Sequence, residues 1–185
     1  MNSHQVITRI RDAFILNLRE IFKNHNTYRY KEDSNGLPDY NNSSIIISDV
    51  TPLVPFSVPA IIVNTIPSNE IRFVQNDFYY RKDDDIDVLG SLITGDVSIE
   101  ILTLDTVSRD VLMDIVYDNL KKMQDVLANY GIAIISITLE ATRQTFIQDR
   151  WWYTSPIRVR IFTEYSSEIK YDKISSINYN IQEDL

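Results

Sequence analysis

The sequence predicts an α+β fold: a mixed β-sheet packed by an N-terminal helix and a central helix, with a β-hairpin region and an extended C-terminal tail. Apolar residues recur at helical steps in two stretches, residues 3–24 and 109–129. Elsewhere apolar and polar residues alternate, which is typical of strands with one buried face. From residue 166 the apolar residues continue without a clear period. We therefore expect a single domain over residues 1–165 and a C-terminal extension over residues 166–185.

The composition is ordinary for a soluble globular protein, and we expect no cofactor. The 185 residues are 44% hydrophobic and 24% charged, which suits one domain with a substantial core. The net charge of −8 argues against sequence-independent binding of duplex nucleic acid, which needs clustered lysine and arginine. The absence of cysteine excludes disulfides, zinc–thiolate sites and iron–sulfur clusters. No secretory signal or membrane span is recognisable, so we expect a soluble cytoplasmic chain.

The N-terminal quarter predicts one helix and a long loop. The apolar stripe of the helix consists of Val6, Ile7, Ile10, Phe14, Leu18, Ile21 and Phe22. Ser3 is a suitable N-cap. Residues 25–44 are polar and rich in asparagine, which predicts a loop with a mobile tip. A short β-branched run follows at residues 45–47. The prolines at positions 52, 55 and 59 then predict an extended segment at an edge or over a surface.

Residues 60–66 and 70–81 predict two strands of a hairpin joined through residues 67–69. The acidic stretch 82–92 after them predicts a solvated loop. A calcium loop of the EF-hand type starting at Asp83 fails, because Val88 stands where glycine is needed and Thr94 where a bidentate glutamate is needed. A weak cation site in this stretch remains the minor alternative, and with it a metal-assisted hydrolase.

The central block predicts strand, helix, strand and strand. Residues 93–104 alternate as a strand, and Asp105 or Thr106 can cap the helix that follows. Gly131 suits the left-handed position that ends a helix. Residues 132–139 have little polarity, which predicts a strand inside the sheet, parallel to the first one. Residues 157–161 predict an antiparallel closing strand. The apolar stripe of the helix consists of Val111, Ile115, Val116, Leu120, Met123 and Leu127.

Catalytic chemistry has little support. The only histidines, His4 and His25, bracket the first helix, and no serine or threonine elbow with flanking glycines accompanies them. The four glycines are isolated, so no phosphate-binding loop is present. Glu100 and Glu140 lie near strand ends, but nothing in the sequence brings them together. We expect no enzymatic activity.

The aromatic run at residues 151–153 is the strongest local anomaly. Strand parity places Trp151 and Tyr153 on the face of Ile157, and Trp152 on the opposite face. Both core packing and a subunit interface are open interpretations, since Trp, Tyr and Arg concentrate binding energy at contacts. The candidate subunit-interface residues on that opposite face are Trp152, Arg158, Arg160 and Phe162.

Residues 141–160 are also locally basic. The arginines there are Arg143, Arg150, Arg158 and Arg160. Salt bridges to neighbouring carboxylates, subunit contacts and a path for nucleic acid are the alternatives. In the C-terminal extension, the candidate partner contacts are Ile174, Ile177 and Tyr179.

The order of these elements resembles that of the tail terminator proteins of tailed bacteriophages, including the tail-completion or neck proteins of contractile tails. The resemblance covers residues 1–165 and depends on the strand at 95–101, the helix at 109–129, the stop at 130–132 and two closing strands. It implies a structural virion protein without catalytic residues, a hexameric ring that joins the tail tube to the head. Tail tube, sheath and neck proteins would be its partners, and genomic DNA would pass through the lumen without specific binding.

The residues alone leave a second function class open. A small α/β adaptor module that binds a peptide or protein, including another neck or baseplate component, would also use an aromatic cluster and an apolar tail.

Overall fold

The computed structural model describes residues 3–39, 41–53, 56–65, 72–83, 86–129 and 131–170. It confirms the α+β class, with two helices and one mixed sheet of seven strands. The elements in chain order are α1 (Ser3–Lys23), β1 (Ile46–Ser48), β2 (Ala60–Thr65), β3 (Arg72–Asp83), β4 (Ile86–Thr103), α2 (Thr106–Ala128), β5 (Ile132–Leu139), β6 (Arg143–Ile147) and β7 (Arg150–Lys170).

The sheet is organised around β4 and β7, its two longest strands. The strand order is β1-β2-β4-β7-β5, with β3 also paired to β4 and β6 also paired to β7. Among the strand pairs of the described residues, β1–β2 is parallel and the others are antiparallel. Since β7 lies between β4 and β5 and is antiparallel to both, β4 and β5 run in the same direction. The predicted direction of these strands is therefore confirmed.

The predicted hairpin between residues 60–66 and 70–81 is wrong. β2 and β3 both pair with β4 in antiparallel register, β2 along residues 97–102 and β3 along residues 86–94. They therefore follow one another along the same side of β4 and run in the same direction. The true hairpin is β3–β4. Most of the predicted acidic loop 82–92 is strand, because β4 begins at Ile86. Asp84 and Asp85, between the two strands, lie outside the described residues.

The predicted position of β5 inside the sheet is also wrong. Among the described strands β5 is the outermost, and β7 separates it from β4. Ile135, at the register shift between Ile134 and Ser136, is exposed, and so is Leu139. The low polarity of this strand indicated burial on two faces, but Ile134 is its one fully buried residue.

The main core lies between one face of the sheet and the two helices. α1 buries Ile10, Phe14, Leu18 and Phe22, as predicted, while the side chains of Val6 and Ile7 are outside the described set. Asn119 donates a hydrogen bond from Nδ2 to Oδ1 of Asn17 at 2.8 Å, which ties the two helices together. The core residues from the sheet include Ile61, Val63, Val97, Ile99, Ile101, Ile157, Val159 and Ile161.

The buried stripe of α2 starts one residue later than predicted. Leu112 is buried and Val111 is exposed, whereas Val116, Leu120, Met123 and Leu127 are buried as expected. Positions 112, 116, 120, 123 and 127 advance by four, four, three and four residues, which keeps them on one side of a helix with 3.6 residues per turn.

Asp105 caps α2, and its removal should weaken the helix. Its carboxylate accepts the backbone N–H of Ser108 at 2.7 Å, and this hydrogen bond lowers the pKa of Asp105 from its ordinary value of 3.8. Asp105→Ala should lower the free energy of unfolding by about 1 kcal/mol at pH 7. Because the pKa of Asp105 is lower in the folded state than in the unfolded state, the ionised carboxylate stabilises the fold at pH values above the unfolded-state pKa. This stabilisation is lost as the pH falls through the folded-state pKa. The deficit measured by urea denaturation should therefore shrink below pH 4, and Asp105→Asn should remove only the pH dependence.

Gly131 ends the helix with a backbone conformation that disfavours side chains. Its φ is +71°, and an added Cβ would meet no heavy atom within 4 Å. Gly131→Ala should therefore cost about 1–2 kcal/mol through the backbone alone. Gly131→Asn should cost less, because asparagine tolerates this region better. Equal thermal stability of the Ala variant and the wild type would contradict the assignment.

Candidate functional site

The sheet face opposite the helices carries a small second core around Trp152. The indole is only 1% exposed, and its ring centroid lies 4.7 Å from that of Phe56. Nε1 of Trp152 donates to the carbonyl of Ile147 at 3.2 Å. Parity therefore placed Trp152 on the correct face, but the chain itself covers the side chain, which is not presented to a partner. The other buried members of this cluster are Ile46, Ala60, Ile62 and Leu102.

The turn between β6 and β7 holds the cover of this second core in place. Gln148 and Asp149 have φ values of +50° and +61°, a pair of positive values typical of the tight hairpin turns that match strand twist. The Gln148 side chain accepts a hydrogen bond from the Phe56 N–H at 3.3 Å and donates one to the Pro52 carbonyl at 2.8 Å. These bonds fix the proline-containing segment over Trp152.

A network of ion pairs occupies the next part of the same face. Asp96 lies on β4 with its side chain 2% exposed. It accepts two hydrogen bonds from Arg160, at 2.9 Å from Nε and 3.0 Å from Nη2. Nη1 of Arg158 lies 3.9 Å from Oδ2 of Asp96. Nε of Arg158 lies 3.2 Å from Oε1 of Glu140. The two arginines share one buried carboxylate, because residues 158 and 160 point to the same face of β7.

Glu100 and Glu140, which the sequence could not connect, lie on either side of Pro156. Glu100 is the backbone partner of Pro156 on β4, and the Glu140 N–H donates to the Pro156 carbonyl at 3.0 Å. Because the N and C=O of a strand residue point to the same side, the missing N–H of Pro156 faces the interruption between β5 and β6. Each glutamate contacts a different arginine, Arg143 at 3.3 Å from Glu100 and Arg158 from Glu140. This arrangement favours the salt-bridge interpretation of the locally basic segment.

Beyond the ion pairs, neither of the described helices covers this face. Phe162 is half-buried and has Thr94 and Ala133 as its backbone partners on β4 and β5. Neither described helix contributes to the clusters on this face. We call Arg158, Arg160 and Phe162 the open face. It borders the outer edge of β5, with which no described strand pairs, so three of the four candidate interface residues lie together beside that edge.

The sequence did not identify the most exposed aromatic pair. Trp151 is 62% exposed and Phe146 56% exposed, with ring centroids 5.2 Å apart. They are direct backbone partners on β7 and β6. Parity placed Trp151 correctly on the helix side, where Tyr153 has the Arg109 guanidinium 5.9 Å from its ring. The signal was missed because residues 143–147 were not assigned to a strand, so Trp151 had no visible partner.

The described residues contain no group of side chains that could hold a metal ion. His25 accepts backbone N–H bonds from Thr27 and Tyr28 at its Nδ1, a structural role at the end of α1. Nowhere in the described ranges do three or more His, Asp or Glu side chains group to hold a metal ion. Asp83 and Asp87 belong to the paired strands β3 and β4.

The remaining predicted contacts, Ile174, Ile177 and Tyr179, lie outside the described residues. Within the described part of the chain, no helix is both long and apolar enough to cross a membrane. No protein-family model matches the chain, and no curated protein matches it.

Proposed function

We propose that the chain is a structural virion protein, a ring-forming tail terminator that joins a phage tail tube to the head or neck. The observation that supports this most strongly is that both described helices cover the same face of the sheet. Both helices pack on one face, while the open face and the edge of β5 form a continuous surface on the other side. A free strand edge beside exposed apolar residues is a ready site for another chain.

A ring needs two different contact surfaces on each copy, because head-to-tail contacts join unlike patches. The β5 edge with the open face would be one surface. The opposite edge of the sheet is the three-residue strand β1, and Val50 just after it is exposed. That side would be the other surface, and closure after six copies would give the hexamer.

The charges fit a lumen through which DNA slides. The net charge is −8, and Arg143, Arg158 and Arg160 are each engaged by a carboxylate. Affinity for phosphates rises with the number of positive charges that neutralise them. Paired arginines in an acidic chain would therefore let the genome pass without holding it. The protein would be located in the virion and would assemble in the host cytoplasm.

Charging the edge of β5 tests the proposed contact. Ile135→Lys should dissociate the oligomer into single chains, because a lysine placed on an edge strand opposes strand-to-strand contact. Leu16→Lys is the matched control, since Leu16 is an exposed apolar residue on α1. Light scattering on both variants gives the mass in solution. An oligomer of unchanged mass with Ile135→Lys would show that this edge is not the contact.

An adaptor module for a protein ligand is the second candidate, and the exposed pair of Phe146 and Trp151 favours it. Affinity capture with the full chain discriminates the two. Recovery of a specific host protein without tail or neck proteins would favour the adaptor. Recovery of tail-tube or neck proteins would favour the terminator.

A further inference from the structure

One end of the molecule carries a surface that the proposed ring contact does not use. It surrounds the β6–β7 turn and consists of the Phe146–Trp151 pair on the helix side of the sheet and an open cavity on the opposite side. We call this surface the aromatic end. The cavity has a volume of about 400 Å³ and is lined by Phe56, Ser57, Gln148, Asp149 and Arg150.

The aromatic end has the composition of a binding anchor. Exposed Trp and Phe side chains offer large apolar area with few rotatable bonds, and such residues dominate the energy of protein contacts. Leu53 is 98% exposed, and the hydrogen bond from Gln148 to the adjacent Pro52 holds it at this same end. The two hydrogen bonds of the Gln148 side chain also fix the geometry of the cavity, so the site is largely formed before a partner binds.

The chain contains a segment with matching chemistry. Residues 174–181 carry no charge in a protein that is 24% charged. Ile177, Tyr179 and Ile181 alternate with two asparagines, so an extended chain would present the three apolar side chains on one side. An uncharged apolar stripe of this kind suits a surface of aromatic rings.

Chain length decides which copy can supply that segment. β7 has 21 residues and pairs with β4 without a register shift. At about 3.3 Å per residue, roughly 60 Å of strand separates Trp151 from Lys170. Even fully extended at about 3.6 Å per residue, the chain from Lys170 to Ile181 spans at most roughly 40 Å. The segment therefore cannot reach the aromatic end of its own copy.

We propose that residues 174–181 of one copy bind the aromatic end of a second copy. The inference depends on the proposed function only in requiring that copies of the chain assemble. Donor and acceptor lie at opposite ends of β7, so the contact is head-to-tail and every copy both gives and receives one segment. It would tie neighbouring copies together in addition to the β5 contact.

Thiol crosslinking tests the contact directly, because the chain contains no cysteine. Phe146→Cys and Tyr179→Cys are purified separately, mixed, and treated with a short bismaleimide. We expect a product of twice the chain mass that contains both variants. Leu16→Cys is the matched acceptor control, and its yield with Tyr179→Cys should be at least about tenfold lower. Equal yields, or no product with Phe146→Cys, would overturn the proposal.

Fluorescence provides a second measurement without crosslinks. Trp152→Phe leaves Trp151 as the only tryptophan. The emission of Trp151 should lie at shorter wavelength in the assembled full chain than in the single chain. This shift should disappear in the double variant Ile177→Ser with Tyr179→Ser. Asn178→Ser/Asn180→Ser is the control on the other side of the segment and should keep the shift. Loss of the shift in both pairs, or in neither, would contradict the proposal.

The outcomes separate this inference from the proposed function. A hexamer that gives no crosslink would contradict the inference about residues 174–181 but not the proposed tail terminator function. Crosslinked chains that never close into rings would contradict the tail terminator function but not the inference. A chain that stays single and uncrosslinked would reject both.

Discussion

Trp152→Ala is expected to lower the free energy of unfolding by about 3–5 kcal/mol, the usual cost of emptying a buried tryptophan site. Trp152 is the largest fully buried side chain and the centre of the second core. Its removal leaves a cavity beside Phe56 and deprives the Ile147 carbonyl of its hydrogen bond. The segment held by Gln148 would then lie over a void, and neighbouring side chains could fill it only in part.

The adjacent residue provides a matched control. Trp151 has the same chemistry but is 62% exposed, so Trp151→Ala should change the free energy of unfolding by about 0.5 kcal/mol or less. Urea denaturation of the two variants, compared at equal protein concentration, measures the difference. Similar losses for both would contradict the assignment of Trp152 to a core and of Trp151 to the exposed surface of the single chain.

Asp96→Ala is expected to produce the second large loss, about 3 kcal/mol. Removing one partner of a buried ion pair typically costs about 3–5 kcal/mol, because the other charge stays without compensation. The expected value is at the lower end, since Arg158 and Arg160 are partly exposed and water can solvate them. The substitution leaves Arg158 and Arg160, two residues apart on one face of β7, without the buried carboxylate that both contact.

Glu100→Ala is the matched control for Asp96. Glu100 is on the same strand and face, but its pair with Arg143 is largely exposed. Exposed pairs are worth about 1 kcal/mol or less. Denaturation at low and at 1 M salt adds a second criterion, because salt screens the exposed pair and affects the buried one less. A loss for Asp96→Ala as small as that for Glu100→Ala would show that the network stabilises the sheet little.

Local patterns predicted the helices and the parity of β7 well. α1, the caps of α2 and the separation of Trp152 from Ile157 depend on residues close in sequence, and the period of the side chains is visible there. The pairing of strands depends on contacts far apart in the chain. The sequence of residues 60–81 suits two strands, but β4 is long enough to pair with both, and the predicted hairpin was therefore wrong.

The candidate site was predicted only in part for the same reason. Arg158, Arg160 and Phe162 share the open face, as parity indicated. The ionic partners of the two arginines, Asp96 on β4 and Glu140 just after β5, are distant in sequence, and no local pattern connects them. β5 appeared internal because apolar content reports how hydrophobic a strand is and not whether a neighbour covers its edge. Exposed apolar residues on that edge are what the proposed assembly explains.

The proposed assembly is tested most directly by the mass of the full chain in solution. One copy has a mass of 21.6 kDa. The proposal predicts a closed species of six times that mass, measured by native mass spectrometry over a range of concentrations and visible as rings by electron microscopy. A mass of one chain at every concentration, with no rings even when tail tubes are added, would contradict it.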